Sequence, residues 1–226
     1  MFYLTRTPWW LKKLYPGLVW QMPAEGKVLH LSFDDGPHPE ATPFVLDELK
    51  KKDARATFFC IGKNVEAYPQ IYRRLLLEGH RVGNHTQNHL NGWKVDDKLY
   101  LENVREAARW IDSDLFRPPY GRIGALQSSL LRSAPFNYHI VMWDVLSADF
   151  DRALTGAQCA RHVTRFARPG SIVVFHDSEK AFERLREALP AVLDHFSDLG
   201  WRFEAITVRK GGVGWKDSVG NKIGPG

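Results

Sequence analysis

The sequence predicts an α/β fold, a distorted (β/α) barrel of about seven strands in a single domain. Three observations lead there. From residue 27 onward, short apolar runs alternate with longer segments of helical period, the pattern of β/α units around a mostly parallel sheet. The length of 226 residues, with 44% apolar and 25% charged, suits one domain around one core. Clusters of polar residues recur where the apolar runs end, which is where β/α barrels place reactive groups. Periodicity alone does not separate such a barrel from an open doubly wound sheet.

Residues 1–26 form an aromatic extension in which Trp9, Trp10, Leu11, Leu14, Tyr15, Leu18 and Trp20 surround Lys12 and Lys13. Pro8, Pro16 and Pro23 prevent a long amphipathic helix, so these aromatics are expected to close one end of the core. The alternative is contact with a membrane surface. Residues 27–207 carry the folded unit. A first strand over 28–33 is followed by Thr42 as N-cap and Pro43 at the first helical position, with the helix running to about Lys52. A strand over 56–61 leads into a helix ending near Glu78, stopped by Gly79. A strand over 81–84 precedes a helix capped by Asp96, whose apolar stripe is Leu99, Val104, Ala107, Ala108 and Ile111. Phe116 and Arg117 enter a fourth strand, with a helix after Gly124. Further strands fall at 138–143, 172–175 and 201–206, with helices at 155–167 and 180–198. Gly211, Gly212, Gly214, Gly220, Gly224 and Gly226 mark 208–226 as a flexible tail.

The net charge of +5 comes from 31 basic and 26 acidic residues that are scattered rather than blocked, which argues against a nucleic-acid partner. Cys60 and Cys159 each sit among apolar neighbours, as buried free thiols do. Neither a signal peptide nor a transmembrane span is evident, leaving the cytoplasm or the cell envelope as the expected location.

Four clusters carry the chemistry. Asp34 and Asp35, before Gly36 and Pro37, are two adjacent carboxylates that a turn can aim at one point, where a cation would relieve their repulsion. His85 and His89, on a helical turn, would share one face within reach of one ion. Two histidines and one aspartate leave a coordination position open, as hydrolytic metals require. Arg117, Pro118, Pro119 and Tyr120 form a rigid turn presenting Arg117 and the Tyr120 N–H. Asp149 with Phe150, and Val174 to Asp177, place His176 at a strand end where a nearby carboxylate would keep it protonated. Each cluster alone also fits a plainer reading: a helix-capping turn, a chance histidine pair, a stiff loop, a core histidine.

In order, the Ser-Phe-Asp-Asp-Gly, His-Thr-x-x-His, Arg-Pro-Pro-Tyr, Asp-Phe and Val-Phe-His segments resemble the five motifs of the polysaccharide deacetylase family, the NodB-homology domain of carbohydrate esterase family 4. The resemblance runs from about Lys27 to Ile206. It implies that 27–207 is a catalytic domain in which Asp34 is the base and Asp35, His85 and His89 hold one divalent metal, commonly zinc, with cobalt a candidate. It further implies that Arg117 orients Asp34, the Tyr120 N–H meets the oxyanion, and Asp149 tunes His176 as acid. Phe150 and Val174 would line the acetate pocket. The implied reaction removes N-acetyl groups from an amino-sugar polysaccharide or oligosaccharide, peptidoglycan or chitin-like, releasing acetate. O-acetyl ester or cyclic-amide hydrolysis at the same site, or a silent glycan-binding module, are the alternatives. Ser32 stands where Thr is usual, Phe150 where Trp is common and Val174 where Leu is common. Leu146 occupies the position of an acidic residue, with Asp144 displaced by two.

Overall fold

The computed structural model describes residues 3–23 and 26–208, so all but the first residue of the expected glycine-rich tail lies outside the described residues. Eight short strands form one sheet in which every ladder is parallel: β1 (Val28–Asp34), β2 (Thr57–Cys60), β3 (Arg81–Asn84), β4 (Leu115–Phe116), β5 (His139–Ile140), β6 (Val145–Leu146), β7 (Ile172–His176) and β8 (Arg202–Phe203). The order is β5-β4-β3-β2-β1-β7-β6, with β8 paired to the first residues of β1.

The two ends of that order decide the curvature. β5 and β6 lie at opposite edges, yet only four residues separate them in the chain. Laid flat, seven strands would hold their edges about 29 Å apart. The link from Ile140 to Val145 reaches at most about 18 Å. The sheet must therefore curl, and the distorted barrel expected from the sequence is what forms. Of the run expected as one strand over 138–143 only His139–Ile140 is strand, paired with β4, and Val145–Leu146, beyond that run, forms a separate short strand paired with β7. The seven expected strands are all found among the described residues, and β6 is an eighth that the sequence reading did not anticipate.

Alternation along β1 sorts the interior. Leu29, Leu31 and Phe33 pack in the main core with the helices, including Val45, Leu46, Leu185 and Leu189. Ser32 and Asp34, of opposite parity, meet the Arg117 guanidinium. On β7, Val173 and Phe175 join the same outer core, which leaves Val174 and His176 on the other face.

The helices are α1 (Trp9–Leu14), α2 (Ala41–Lys51), α3 (Gly62–Ala67), α4 (Pro69–Leu77), α5 (Asp97–Ala107), α6 (Ala125–Arg132), α7 (Gly156–Phe166) and α8 (Phe182–Asp198). Several differ from the sequence reading. Thr42 is not the N-cap of α2; Glu40 is, while the Thr42 hydroxyl donates to Asp177. The helix expected to reach Glu78 is broken into α3 and α4 at Tyr68, because the residue before Pro69 is driven out of helical geometry. Gly79, at φ +79°, supplies the left-handed stop as expected. Asp96 caps α5 by accepting the Leu99 N–H at 2.9 Å. The buried stripe of α5, however, is Tyr100, Asn103, Val104 and Ala107, whereas Leu99 is 45% exposed and Ala108 falls outside the helix. Positions 100, 103, 104 and 107 share one face, and Leu99 sits about a quarter of a turn from its centre.

The N-terminal extension is pinned along the β5–β6 link. Arg6 bridges to Val145, Val19 bridges to Val141, and Lys12 Nζ lies 2.5 Å from Asp144 Oδ1. Val19 and Trp20 are buried, whereas Trp9, Trp10, Leu14 and Tyr15 remain exposed. Among the described residues no helix is long and apolar enough to cross a membrane. Cys60 and Cys159 are both free and buried.

Candidate active site

β1 delivers Asp34 to the mouth of the barrel and the next residue breaks its alternation. Asp35 has φ +80°, a left-handed conformation that turns its carboxylate toward the same opening. The break lies in Asp35 itself rather than in the Gly36-Pro37 turn alone. Asn64 Nδ2 holds it by donating to the Asp35 carbonyl at 2.7 Å. Among the described residues, five of the seven non-glycine residues with positive φ lie in the strand-end loops of this mouth: Asp35, Thr86, His89, Tyr120 and Ala148. Such conformations cost on the order of 1 kcal/mol each and persist where surrounding contacts over-determine them.

His85 and His89 approach Asp35 differently from the sequence reading. No helical turn joins them; the loop passes through φ +66° at Thr86 and +56° at His89. Its shape is set by asparagines: Asn84 Oδ1 accepts from the Thr86 N–H at 2.8 Å, and Asn103 Oδ1 accepts from the N–H groups of Gln87 and Asn88, both at 3.0 Å. His85 Nε2 then lies 3.7 Å and His89 Nε2 3.1 Å from Asp35 Oδ1, and the three ligand atoms fall within 4.8 Å of one another. A tetrahedral ion with arms of about 2.1 Å has ligand-to-ligand edges of about 3.4 Å, which the two distances bracket.

The protonation chemistry of these ligands also fits a cation. His85 Nδ1 is 2.7 Å from the Arg117 carbonyl, which fixes the proton on Nδ1 and leaves the Nε2 lone pair facing Asp35. Burial brings the His85 pKa down to about 4, so the imidazole is neutral, as a ligand must be. Burial pushes the Asp35 carboxyl up, but the hydrogen bond with His89 and the positive field of His176 outweigh it and hold Asp35 well below the usual carboxylate range. His89 Nδ1 lies 3.1 Å from the Tyr120 hydroxyl.

Two ion pairs flank this cluster. Arg117, expected at a strand end, is fully buried. Its Nη1 donates to Asp34 Oδ1 at 2.6 Å and to Ser32 Oγ at 2.9 Å, Nε and Nη2 donate to the carbonyls of Val141 and Met142, and the guanidinium lies 4.0 Å from the Phe59 ring centroid. Asp34 Oδ1 is thereby fixed by a cation that does not release its proton. On the neighbouring strand His176 is the register partner of Asp34. Asp149, fully buried, accepts from His176 Nδ1 at 2.7 Å and from the His176 backbone N–H at 2.8 Å. Burial works against a charge on His176, but Asp149, with help from Asp35 and Asp34, pushes its pKa up to about 9. Arg184 from α8 clamps the far side of Asp149 by donating to its carbonyl at 2.6 Å.

Tyr120 is 55% exposed at φ +61°, between Pro119 and Gly121. Phe150 packs edge-on to His176 with centroids 5.3 Å apart. Val174 is buried two residues below His176 and pairs with Leu146. Asp144 is far from this mouth, held by Lys12 and Ser171 at the start of β7.

Sequence reasoning missed Asn64, Asn84, Asn103 and Arg184, which support the site without projecting into it, and gave Asp177, part of the last cluster, no separate role. Asp177 accepts from the Gly36 N–H and from Thr42 Oγ1, and its burial pushes the pKa up to about 8. A Cβ at Gly36 would collide with that carboxylate, so the Asp-Gly pairing of the first motif and the His-Asp pairing of the last are two halves of one contact. Asn64 and Asn103 gave no signal, since their partners are backbone groups far away in sequence, whereas Asn84 bonds the Thr86 N–H two residues on.

A family model described as polysaccharide deacetylase matches residues 21–139. A peptidoglycan-N-acetylglucosamine deacetylase of Bacillus cereus is 35% identical over 196 residues, covering 84% of this chain and 91% of that protein. A chitooligosaccharide deacetylase of Bradyrhizobium sp. is 36% identical over 156 residues, 66% of this chain and 70% of that one. Among solved structures, the Bc1960 peptidoglycan N-acetylglucosamine deacetylase superposes with a TM-score of 0.79 at 30% identity, covering 88% of this chain and 95% of that one.

Proposed function

The chain belongs to the polysaccharide deacetylase family, and from that premise we propose that it hydrolyses N-acetyl groups of an amino-sugar polymer to acetate and a free amine. One observation carries the reading: Asp34 and His176 are register partners on adjacent strands, one held by a permanent cation and the other by a buried carboxylate, beside the Asp35, His85 and His89 cluster.

A divalent ion, zinc or cobalt, held by Asp35, His85 and His89 would supply Lewis-acid polarisation of the carbonyl and a water whose pKa falls from about 15.7 toward about 7. Asp34, its Oδ1 held by Arg117, is placed to accept the proton of the water that attacks the acetamide carbon. The Tyr120 N–H donates to the developing oxyanion, a contact whose loss typically costs about 10²-fold to 10³-fold in rate. An amine leaves only once protonated, so His176 delivers the proton held on Nε2 to the nitrogen as the C–N bond breaks. Asp149 stabilises the imidazolium until that transfer, and Phe150 and Val174 bound the pocket for the acetyl methyl.

Acetate release from chitooligosaccharides and peptidoglycan fragments, with zinc, with cobalt and with chelator, tests the proposal. Release that depends on the metal is expected. Glycan binding without release under any metal would replace the hydrolase with a silent module, and release from O-acetylated xylan alone would make it an esterase.

A further inference from the structure

Trp93 lies outside the five motifs and is 67% exposed, yet it is held firmly. Its indole Nε1 donates to the Ile123 carbonyl at 3.0 Å, its backbone N–H donates to Asn91 Oδ1 at 3.0 Å, and the Arg122 guanidinium lies 5.2 Å from its ring centroid. The preceding Gly92 is pressed so closely against the Arg122 carbonyl and Gln127 that a Cβ would collide with both, and Gln127 Nε2 donates to the Gly92 carbonyl. An aromatic kept in water has its entropy already removed by these contacts and its ring still unburied, which is the state of a binding surface rather than of a core residue.

Its position says what it binds. Trp93 is four residues past His89, at most about 14 Å of extended chain. Arg122 is two residues past Tyr120, whose hydroxyl touches His89. The two loops that carry metal-cluster and oxyanion groups are thus zipped together, and at their outer edge they present an indole face beside a guanidinium.

We propose that Trp93 and Arg122 form a sugar subsite for a residue next to the one being deacetylated, taking a β-linked N-acetylhexosamine chain. The indole stacks on the C–H face of a pyranose ring, the guanidinium donates to a ring substituent, and the ligand class rests on the deacetylase reading above. Peptidoglycan and chitin share this ring chemistry; a muramic-acid carboxylate would add an ionic contact to Arg122.

Calorimetric binding to metal-free protein measures the subsite independently of turnover. The probes are the N-acetylglucosamine tetramer and dimer, and a muropeptide-free glycan fragment containing N-acetylmuramic acid. Trp93→Ala is expected to reduce the preference for tetramer over dimer about 10-fold, with Trp93→Phe restoring most of it. Trp10→Ser, at another exposed tryptophan, in α1, is expected to leave the preference as in wild type. Arg122→Gln separates the sources, since a larger loss with the muramic-acid fragment than with the tetramer marks peptidoglycan. An unchanged tetramer preference in Trp93→Ala, with wild type releasing acetate, overturns the subsite and leaves the proposed function standing. Weakened tetramer binding in a protein that releases no acetate upholds the subsite and overturns the proposed function. Wild-type protein that binds no glycan overturns the subsite whatever its activity.

Discussion

The Asp34–Arg117 and Asp149–His176 pairs are built alike and point in opposite directions. In the first the cation is sealed, with no exposed side-chain surface, and the carboxylate faces the mouth; in the second the carboxylate is sealed and the imidazole keeps 15% exposure. Both are short, at 2.6 and 2.7 Å. What separates them chemically is which member is outermost and whether its partner can move a proton. Arg117 cannot, and its Nη1 donates to Asp34 Oδ1. Asp149 raises its histidine, so His176 carries a proton to give. In the proposed mechanism the base and the acid are one motif turned around, on two strands that share register.

The comparison can be broken or sharpened experimentally. The largest effect is expected from the cluster between the pairs: His85→Ala should lose bound metal and activity together, read by metal analysis beside acetate release. Asp34→Asn should keep the metal and lose about 10²-fold to 10⁴-fold in turnover, the range for a positioned proton acceptor; near-wild-type rates would remove Asp34 from its role. Arg117→Met leaves a buried carboxylate without its cation and should destabilise the fold by about 3–5 kcal/mol in denaturant titrations, far more than any exposed arginine. A cost below about 1 kcal/mol would show that water already reaches the pair.

The smallest and most discriminating effect concerns pH. In metal-free protein the His176 proton should titrate near 9 and that of His85 near 4, resolved by NMR. Because the His176 pKa is raised from 6.5 in the folded state, its pair contributes fully to stability below about 6.5 and the contribution fades as pH rises through about 9. Asp149→Asn should move that titration down by removing its main support, and the alkaline limb of activity should move with it. A limb that stays in place would assign the acid to another group.

The residues that face the opening were legible because chemistry restricts them to few types. Carboxylates, imidazoles and one arginine at strand ends stand out in a chain whose strands are otherwise apolar. The left-handed residues Asp35, Thr86 and His89 were not legible, since a helical spacing for His85 and His89 was the simplest way to bring two imidazoles together, and the molecule uses two strained turns instead. Nor was Arg117 recognisable as a buried residue: its donors go to Ser32, Asp34 and the carbonyls of Val141 and Met142, from segments distant in sequence.

Sequence alone determined the alternation of strands and helices, the Asp96 cap and the Gly79 stop, because these depend on neighbours within a few residues. The tertiary structure decided the curl of the sheet, the extra strand at Val145–Leu146, the choice of Tyr100 over Leu99 for the core, and the opposite polarity of the two ion pairs. Each of those is a contest between distant groups for the same space or the same proton, and the contestants meet only when a short link forces the edges of the sheet toward each other.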